Sequence, residues 1–344
     1  MLSLTNTAFF TKKFIIGFLI LLVIIIAYLT LSSTGKNIYN ALFPNPNPSL
    51  VAFGKLPELD ISEGIKPQPN ITYKVDTVSG QLDELDHDLK VFTIKSGVAA
   101  FGDLAKANII AEAKQFTTPP TKLENGKATY IDKNNPNRQI VIELITGNII
   151  FNIDYLNNQQ VISSQPNKEA ESLKIATDFL KNQEFSGADF PIDKISYIKY
   201  KIDNGKLVEA LSLSGANLMQ IIYNRADIDK IPVAYSSFYK PKVNVLVSST
   251  EVVAAKFNIS NIEKYRFSTY PLKGVKKAYE DLKVGKAIFN KIFDGKEFLI
   301  RNVSLAYLDT DVTTTFLQPV YVFASDDNLA AYVPAVSSDY LISK

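Results

Sequence analysis

The sequence predicts an α+β fold: one N-terminal transmembrane helix, then two lobes of helices packed on antiparallel sheets. Three observations predict it. Residues 14–31, FIIGFLILLVIIIAYLTL, run for eighteen positions without a charge, a proline or an amide side chain. Beyond them, a helical stripe followed by alternating strand segments recurs three times. The recurrence lacks the βαβ rhythm of a parallel sheet, which points to helices set against antiparallel sheets.

The apolar run comes first. At 1.5 Å per residue it is about 27 Å long as a helix, close to the hydrocarbon thickness of a bilayer. Fourteen of its residues are Leu, Ile, Val or Phe, so insertion gains on the order of 4–8 kcal/mol. A buried soluble helix normally keeps a polar stripe, and this run has none. A cleaved signal peptide is the competing reading, but its apolar core is usually about 7–15 residues and ends at a small-x-small site. The stretch Thr30-Leu31-Ser32-Ser33 matches that site poorly, so a retained span from Phe14 to Leu31 is expected. Lys12 and Lys13 precede it with no acid among residues 1–13. The positive-inside tendency then leaves residues 1–13 in the cytoplasm and the bulk of the chain extracytoplasmic, at a cell membrane crossed once. The lipid bilayer is the first expected partner.

Residues 32–69 read as a Pro-rich linker. Pro44-Asn45-Pro46-Asn47-Pro48 cannot continue a helix and favours an extended path, and Pro57, Pro67 and Pro69 prolong that character. A first lobe is expected over residues 70–163. In it residues 100–116 carry a helical stripe of Leu104, Ala107 and Ala111, ended by Pro119-Pro120. Strands follow at 127–131, 139–145 and 148–155, the last two around a tight turn at Thr146-Gly147.

The second lobe is expected over 164–344, with the boundary near Ser163–Pro166. Its helix spans 168–182, with Leu173, Ala176 and Leu180 on one stripe. Strands at 195–202 and 206–213 flank Asp203-Asn204-Gly205, a strong hairpin signal. Further strands are expected at 218–223, 242–247 and 252–257. A third pass starts at Tyr270-Pro271, where Val275, Ala278, Tyr279 and Leu282 make a stripe that Gly285 closes. Strands at 298–308, 316–323 and 329–336 complete a C-terminal β-rich repeat.

Those last strands carry a family resemblance. Val303-Ser304-Leu305-Ala306-Tyr307-Leu308, Phe316-Leu317-Gln318-Pro319-Val320-Tyr321-Val322-Phe323 and Ala331-Tyr332-Val333-Pro334-Ala335-Val336 stand behind Ala-rich helices that precede each sheet. Together with the single span, this resembles PepSY-like membrane-anchored extracytoplasmic proteins, of the YycH/YycI class of two-component-system accessory regulators. The resemblance implies a non-enzymatic regulatory role through protein contacts and carries over no binding residue.

Chemistry is limited by what is missing. The formal net charge is +2 and spread along the chain, with no basic stripe interleaved with aromatics, so nucleic acid is not an expected partner. Without cysteine there are no disulfides, thiolate catalysis, Fe–S clusters or zinc ribbons. The one histidine, His87, lies in Asp83-Glu84-Leu85-Asp86-His87-Asp88. That segment reads as a solvated acidic loop. As a calcium loop it fails, with Leu89 where Gly is needed and Lys95 where Glu is needed. Ser237-Phe238-Tyr239-Lys240 has Ser-x-x-Lys spacing, but Pro241 follows and the surroundings are β-rich. The pairs Asp309/Asp311 and Asp326/Asp327 read as turn residues. Phosphate-cradling glycine loops and the nucleophile elbow are absent, and no catalytic, cofactor or metal residue is expected.

Tyr321 and Tyr332 are the expected interaction surface, since an exposed strand tyrosine suits an interface. Pro319 and Pro334 read as guards on exposed sheet edges. The expected function is a non-enzymatic interaction or regulatory protein of the cell envelope, with another envelope or membrane protein as partner. An envelope sensor for a peptide, glycan or ion is the alternative. A hydrolase built on carboxylates is the third reading.

Overall fold

The computed structural model describes Phe18, Leu21 and residues 49–95, 97, 102–181, 183, 187–236, 241–310 and 314–342. The chain divides into two compact units, Met1–Leu50 and Val51–Lys344. In the first, Phe18 and Leu21 are helical and exposed. The rest of the span expected from Phe14 to Leu31 lies outside the described residues, as do residues 1–13 and 32–48. Among the described residues no helix is long and apolar enough to cross a membrane.

The α+β expectation is corrected. The protein is mostly β, with 38% strand against 17% helix. The physical reason lies in the stretch from Ile195 to Pro271, where β-branched and aromatic residues build seven strands without an intervening α-helix.

The elements run in this order. β1 (Thr72–Val75) and β2 (Asp88–Ile94) precede α1 (Asp103–Ala113). Next come β3 (Lys122–Glu124), β4 (Lys127–Ile131), β5 (Gln139–Glu143) and β6 (Ile149–Asn152). After α2 (Gln159–Ile162) and α3 (Glu169–Leu180) follow β7 (Ile195–Asp203), β8 (Lys206–Glu209), β9 (Leu218–Tyr223) and β10 (Val233–Tyr235). β11 (Val243–Val247), β12 (Val252–Phe257) and β13 (Ile262–Pro271) lead to α4 (Val275–Lys283). The chain closes with β14 (Ile288–Phe289), β15 (Glu297–Ile300), β16 (Asn302–Asp309), β17 (Phe316–Ala324) and β18 (Ala330–Pro334).

Nine strands form one sheet in the order β3-β4-β5-β6-β12-β11-β9-β7-β8, and every pair is antiparallel. Strands from both sides of Ser163–Pro166 belong to it, so the sheet is continuous across the expected lobe boundary. Alternation decides its faces. Tyr130, Ile140, Phe151, Ile221 and Val245 are buried in one core with Ala107 and Ala111 of α1 and Ala176 and Leu180 of α3. Each large side chain buried there contributes about 1.5–3 kcal/mol. The other face is mixed, with Gln139, Asn152, Gln220 and Asn244 alternating with Val141, Ile150 and the buried Ile222. The β7–β8 hairpin turns through Asn204 (φ 50°) and Gly205 (φ 71°), the pair of left-handed residues that a two-residue turn matched to strand twist requires.

The second sheet follows the path β10-β16-β17-β18-β14, with β2 pairing both β17 and β13. β10 and β16 are parallel; β1 and β15 form a separate parallel pair. β16 and β17 are apolar on both faces. Leu305, Tyr321, Phe323 and Val333 face Val275, Ala278 and Leu282 of α4. Ala306, Leu308, Val320 and Tyr332 share the opposite core with Leu59 and Ile288. That cover comes from the segment expected to be a tether out to residue 69. It is packed from Val51 onward: Leu56 is fully buried, its N–H donates to the Tyr340 carbonyl (2.9 Å), and its carbonyl accepts from Ile342 (2.8 Å).

Pro319 does not guard an edge. It lies in β17, the central strand, opposite Tyr307 of β16. The Tyr307 N–H donates away from β17, to the Pro232 carbonyl (2.8 Å), so Tyr307 and Pro319 exchange no hydrogen bond. The position that lacks an N–H therefore faces the other side, where β17 changes partner from β2 at Phe316–Leu317 to β18 at Val320. Pro334 pairs with Val320 inside the same sheet.

Lys114, just past α1, ties the two helices together. Its buried amine donates to the Phe179 carbonyl near the end of α3 and lies 4.7 Å from the Phe179 ring centre. Burial pulls its pKa from 10.5 down to about 8. Below that value the charged amine carries its full burial penalty. Between about 8 and 10.5 the unfolded chain binds more protons than the folded one, so stability rises with pH there. Denaturant unfolding of the wild type and Lys114→Met is therefore expected to diverge in favour of the wild type as pH increases from 8 to 10.5. A difference that stays constant over this window contradicts the assignment.

Candidate functional site

The sheets meet at a buried ionic cluster. Lys242, one residue before β11, and Asp309, the last residue of β16, pair at 2.6 Å with side-chain exposures of 5% and 2%. Ser260, beyond β12, is the hub. Its hydroxyl donates to Asp309 Oδ1 (2.7 Å) and accepts from Lys242 Nζ (3.0 Å). Its carbonyl accepts from Nη2 of Arg225 (2.8 Å), itself buried after β9. Lys242 thus pairs with the carboxylate directly, while Arg225 joins the cluster only through the Ser260 carbonyl. Among the described residues Asp309 Oδ2 and Arg225 Nε are buried without a hydrogen-bond partner, so the cluster is not fully satisfied there. Tyr235 of β10 is pushed up to about 12, first by burial and then by the Asp309 charge.

Tyr235 also lines a cavity of 160 Å³ between the sheets, with Ser196, Asn224, Asn290 and Tyr332. Its wall amides are already engaged. Asn224 donates to the Lys194 carbonyl (2.8 Å) and Ser196 Oγ (3.0 Å). Asn290 donates to the Asn328 carbonyl (2.8 Å) and accepts from the Ala330 N–H (2.9 Å). The cavity is a packing seam rather than a receptive pocket.

A different feature faces outward. In β13 Glu263 pairs with Thr93 and Phe267 with Phe92, neighbouring residues of β2. Lys264, Tyr265 and Arg266 therefore loop out as a three-residue bulge. Bulges of this kind re-aim side chains, and here Tyr265 is 82% exposed. The base is held firmly. Thr93 donates to Glu263 (2.7 Å) and to the Arg266 carbonyl (3.3 Å), and Lys264 pairs with Asp189 (2.8 Å). The Thr93 hydroxyl, then the Tyr265 hydroxyl and the Arg266 charge, hold the Glu263 carboxyl below the usual range. Lys90 sits 4.1 Å from the centre of the half-exposed Phe267 ring. Arg266 reaches Glu263 only at 3.8 Å and keeps 65% of its side chain exposed. The tip thus presents an aromatic ring and an available guanidinium on a rigid base.

The residues expected as an interaction surface lie elsewhere. Tyr321 is fully buried, its hydroxyl accepting from the Gly274 N–H (3.1 Å), and Tyr332 is buried against the seam. The expected surface at these two residues is corrected, because the C-terminal sheet is covered on both faces. The span ends Phe14 and Leu31, the Ser237–Lys240 motif and Asp311 lie outside the described residues. His87 is exposed, and its carbonyl accepts from Leu272. Asp309, read as a turn residue, is instead buried with Lys242. Asp326 and Asp327 do form a turn, with Asp326 bound to Arg301 (3.1 Å). The sequence signal that could have exposed the bulge is the polar run Glu263-Lys264-Tyr265-Arg266, which breaks the alternation between Ile262 and Phe267.

Removing one member of a buried pair leaves an uncompensated charge, at about 3–5 kcal/mol; replacing both by apolar groups is often neutral. Asp309→Ala is therefore expected to lower unfolding stability by about 3–5 kcal/mol. Lys242→Met combined with Asp309→Leu recovers most of that loss. Denaturant melts check both, and a loss below about 1 kcal/mol in Asp309→Ala contradicts the role of the cluster.

No protein-family model and no curated protein matches the chain, so the resemblance to PepSY-like proteins gains no support there. Among solved structures, the crystal structure of an uncharacterized protein from Eubacterium rectale ATCC 33656 is similar at 13% identity, over 78% of this chain and 89% of that one, with a TM-score of 0.39. At that level the similarity assigns neither fold nor function.

Proposed function

We propose that the chain is a non-enzymatic interaction protein of the cell envelope. The apolar run 14–31 holds it at a membrane with its N-terminus in the cytoplasm, and the unit Val51–Lys344 works outside. The bulge carries this reading. A rigid, projecting Tyr265 beside the exposed Arg266 has the composition of an interface anchor, where Tyr and Arg are enriched. The partner it fits is a protein offering a carboxylate next to an apolar cleft, so that Arg266 gains an ion pair and Tyr265 buries its ring. For the membrane placement the support is the eighteen-residue run itself.

Photo-crosslinking in intact membranes tests the proposal. A benzophenone amino acid at position 265 is expected to give one discrete adduct. The same probe at Val78 or Leu211, which are fully exposed, gives none. Tyr265→Ala and Arg266→Glu are each expected to weaken capture of that partner roughly tenfold or more. Crosslinking no stronger at 265 than at the control positions contradicts the proposal.

A further inference from the structure

The geometry points to a binding site for a neutral saccharide in an open groove at the end of β5 and β6. It goes beyond the interaction reading and does not depend on the bulge. The groove encloses 410 Å³, within the range of about 300–1,000 Å³ typical of small-ligand sites.

Its floor follows from sheet register. Gln139 of β5 and Asn152 of β6 are cross-strand partners. Their neighbours Ile140 and Phe151 point into the core, so both amides stand on the open face. Asn137, two residues before Gln139, and Asp154, two residues after Asn152, line the same groove just outside the strands. Four polar side chains thus gather in one array.

The array is preorganised. Asn157 donates to both oxygens of Asp154 (2.9 and 3.2 Å), and Asn137 reaches Oδ2 at 3.5 Å. The loop that bears Asn137 is pinned by Arg138, which pairs with Asp132 (2.9 Å), donates to the Lys114 carbonyl (2.5 Å) and covers the Phe116 ring at 4.3 Å. Meanwhile the side-chain amides of Gln139 and Asn152 make no hydrogen bond to any described residue. Each offers a donor and an acceptor side by side, which matches adjacent hydroxyls that both give and accept. Asp154 keeps acceptor capacity for one more hydroxyl. Tyr155 and Pro136 supply apolar wall for the C–H face of a sugar ring.

Charge narrows the ligand class. The carboxylate of Asp154 repels phosphates and acidic peptides. Among the described residues there is no group of three or more His, Cys, Asp or Glu side chains to hold a metal ion. A neutral polyhydroxyl ring satisfies both the unpaired amides and the apolar wall.

The test uses the full chain in phosphocholine micelles, which carry no sugar, with cellobiose and N,N′-diacetylchitobiose as probes. Saturation-transfer NMR and calorimetry are expected to show saturable binding of at least one probe with a Kd of roughly millimolar order. Asp154→Ala is expected to weaken it fivefold or more, and Gln139→Ala with Asn152→Ala to abolish it. These side chains are exposed, and thermal melts establish that each variant is folded. A saturable signal from neither sugar overturns the proposal. So does binding that survives the variants unchanged.

Discussion

Lys242 and Asp309 meet where two independently hydrogen-bonded sheets must be held in one register. The pair is almost fully dehydrated. Such a contact is costly unless the surrounding dipoles complete it; Ser260, beyond β12, bonds both partners but leaves Asp309 Oδ2 without a hydrogen bond among the described residues. Three segments distant in sequence therefore converge on one hydroxyl. The same end of β16 also carries the parallel ladder with β10, where Tyr235 stands opposite Asp309.

The second constraint is the lack of a solvent face on β16 and β17. A strand apolar on both sides needs cover on both sides. α4 provides one cover and the segment around Leu56 and Leu59 the other. Because both covers are needed, residues 51–65 belong to the folded unit although they fall within the expected Pro-rich linker. The nine-stranded sheet keeps a mixed outer face, and its edge strands β3 and β8 are short and charged at Lys122, Glu124, Lys206 and Glu209. Such edges resist strand addition, which leaves projecting loops and the open face as the surfaces for recognition.

Local chemistry was legible in the sequence and adjacency was not. The turns at Gly147, Asn204-Gly205 and Gly285 all take the positive φ expected of them, since the cause lies in those residues alone. The three amphipathic stripes likewise formed α1, α3 and α4 within a few residues of their expected ends. Judging the fold class from those stripes gave helices too much weight, because the stretch after α3 adds seven strands before the next α-helix. Asp309, Tyr321 and Pro319 were misread for one shared reason. Asp309 was judged by its turn preference, Pro319 by its missing N–H and Tyr321 as an exposed interface residue, but strand pairing set each environment, and nothing local in the sequence states that β17 is central. The bulge in β13 shows locally only as the polar run Lys264-Tyr265-Arg266, and its pairing with β2, some 170 residues away, is what makes that run a bulge. The groove depends on the register of Gln139 with Asn152, which a short hairpin also hides.

Hydrogen exchange under native conditions tests most directly the claim that one buried pair binds the sheets into a single cooperative body. If it does, the central amides of β11 and β16 open with the same free energy and respond equally to denaturant. Independent opening of β16 while β11 stays protected contradicts the account.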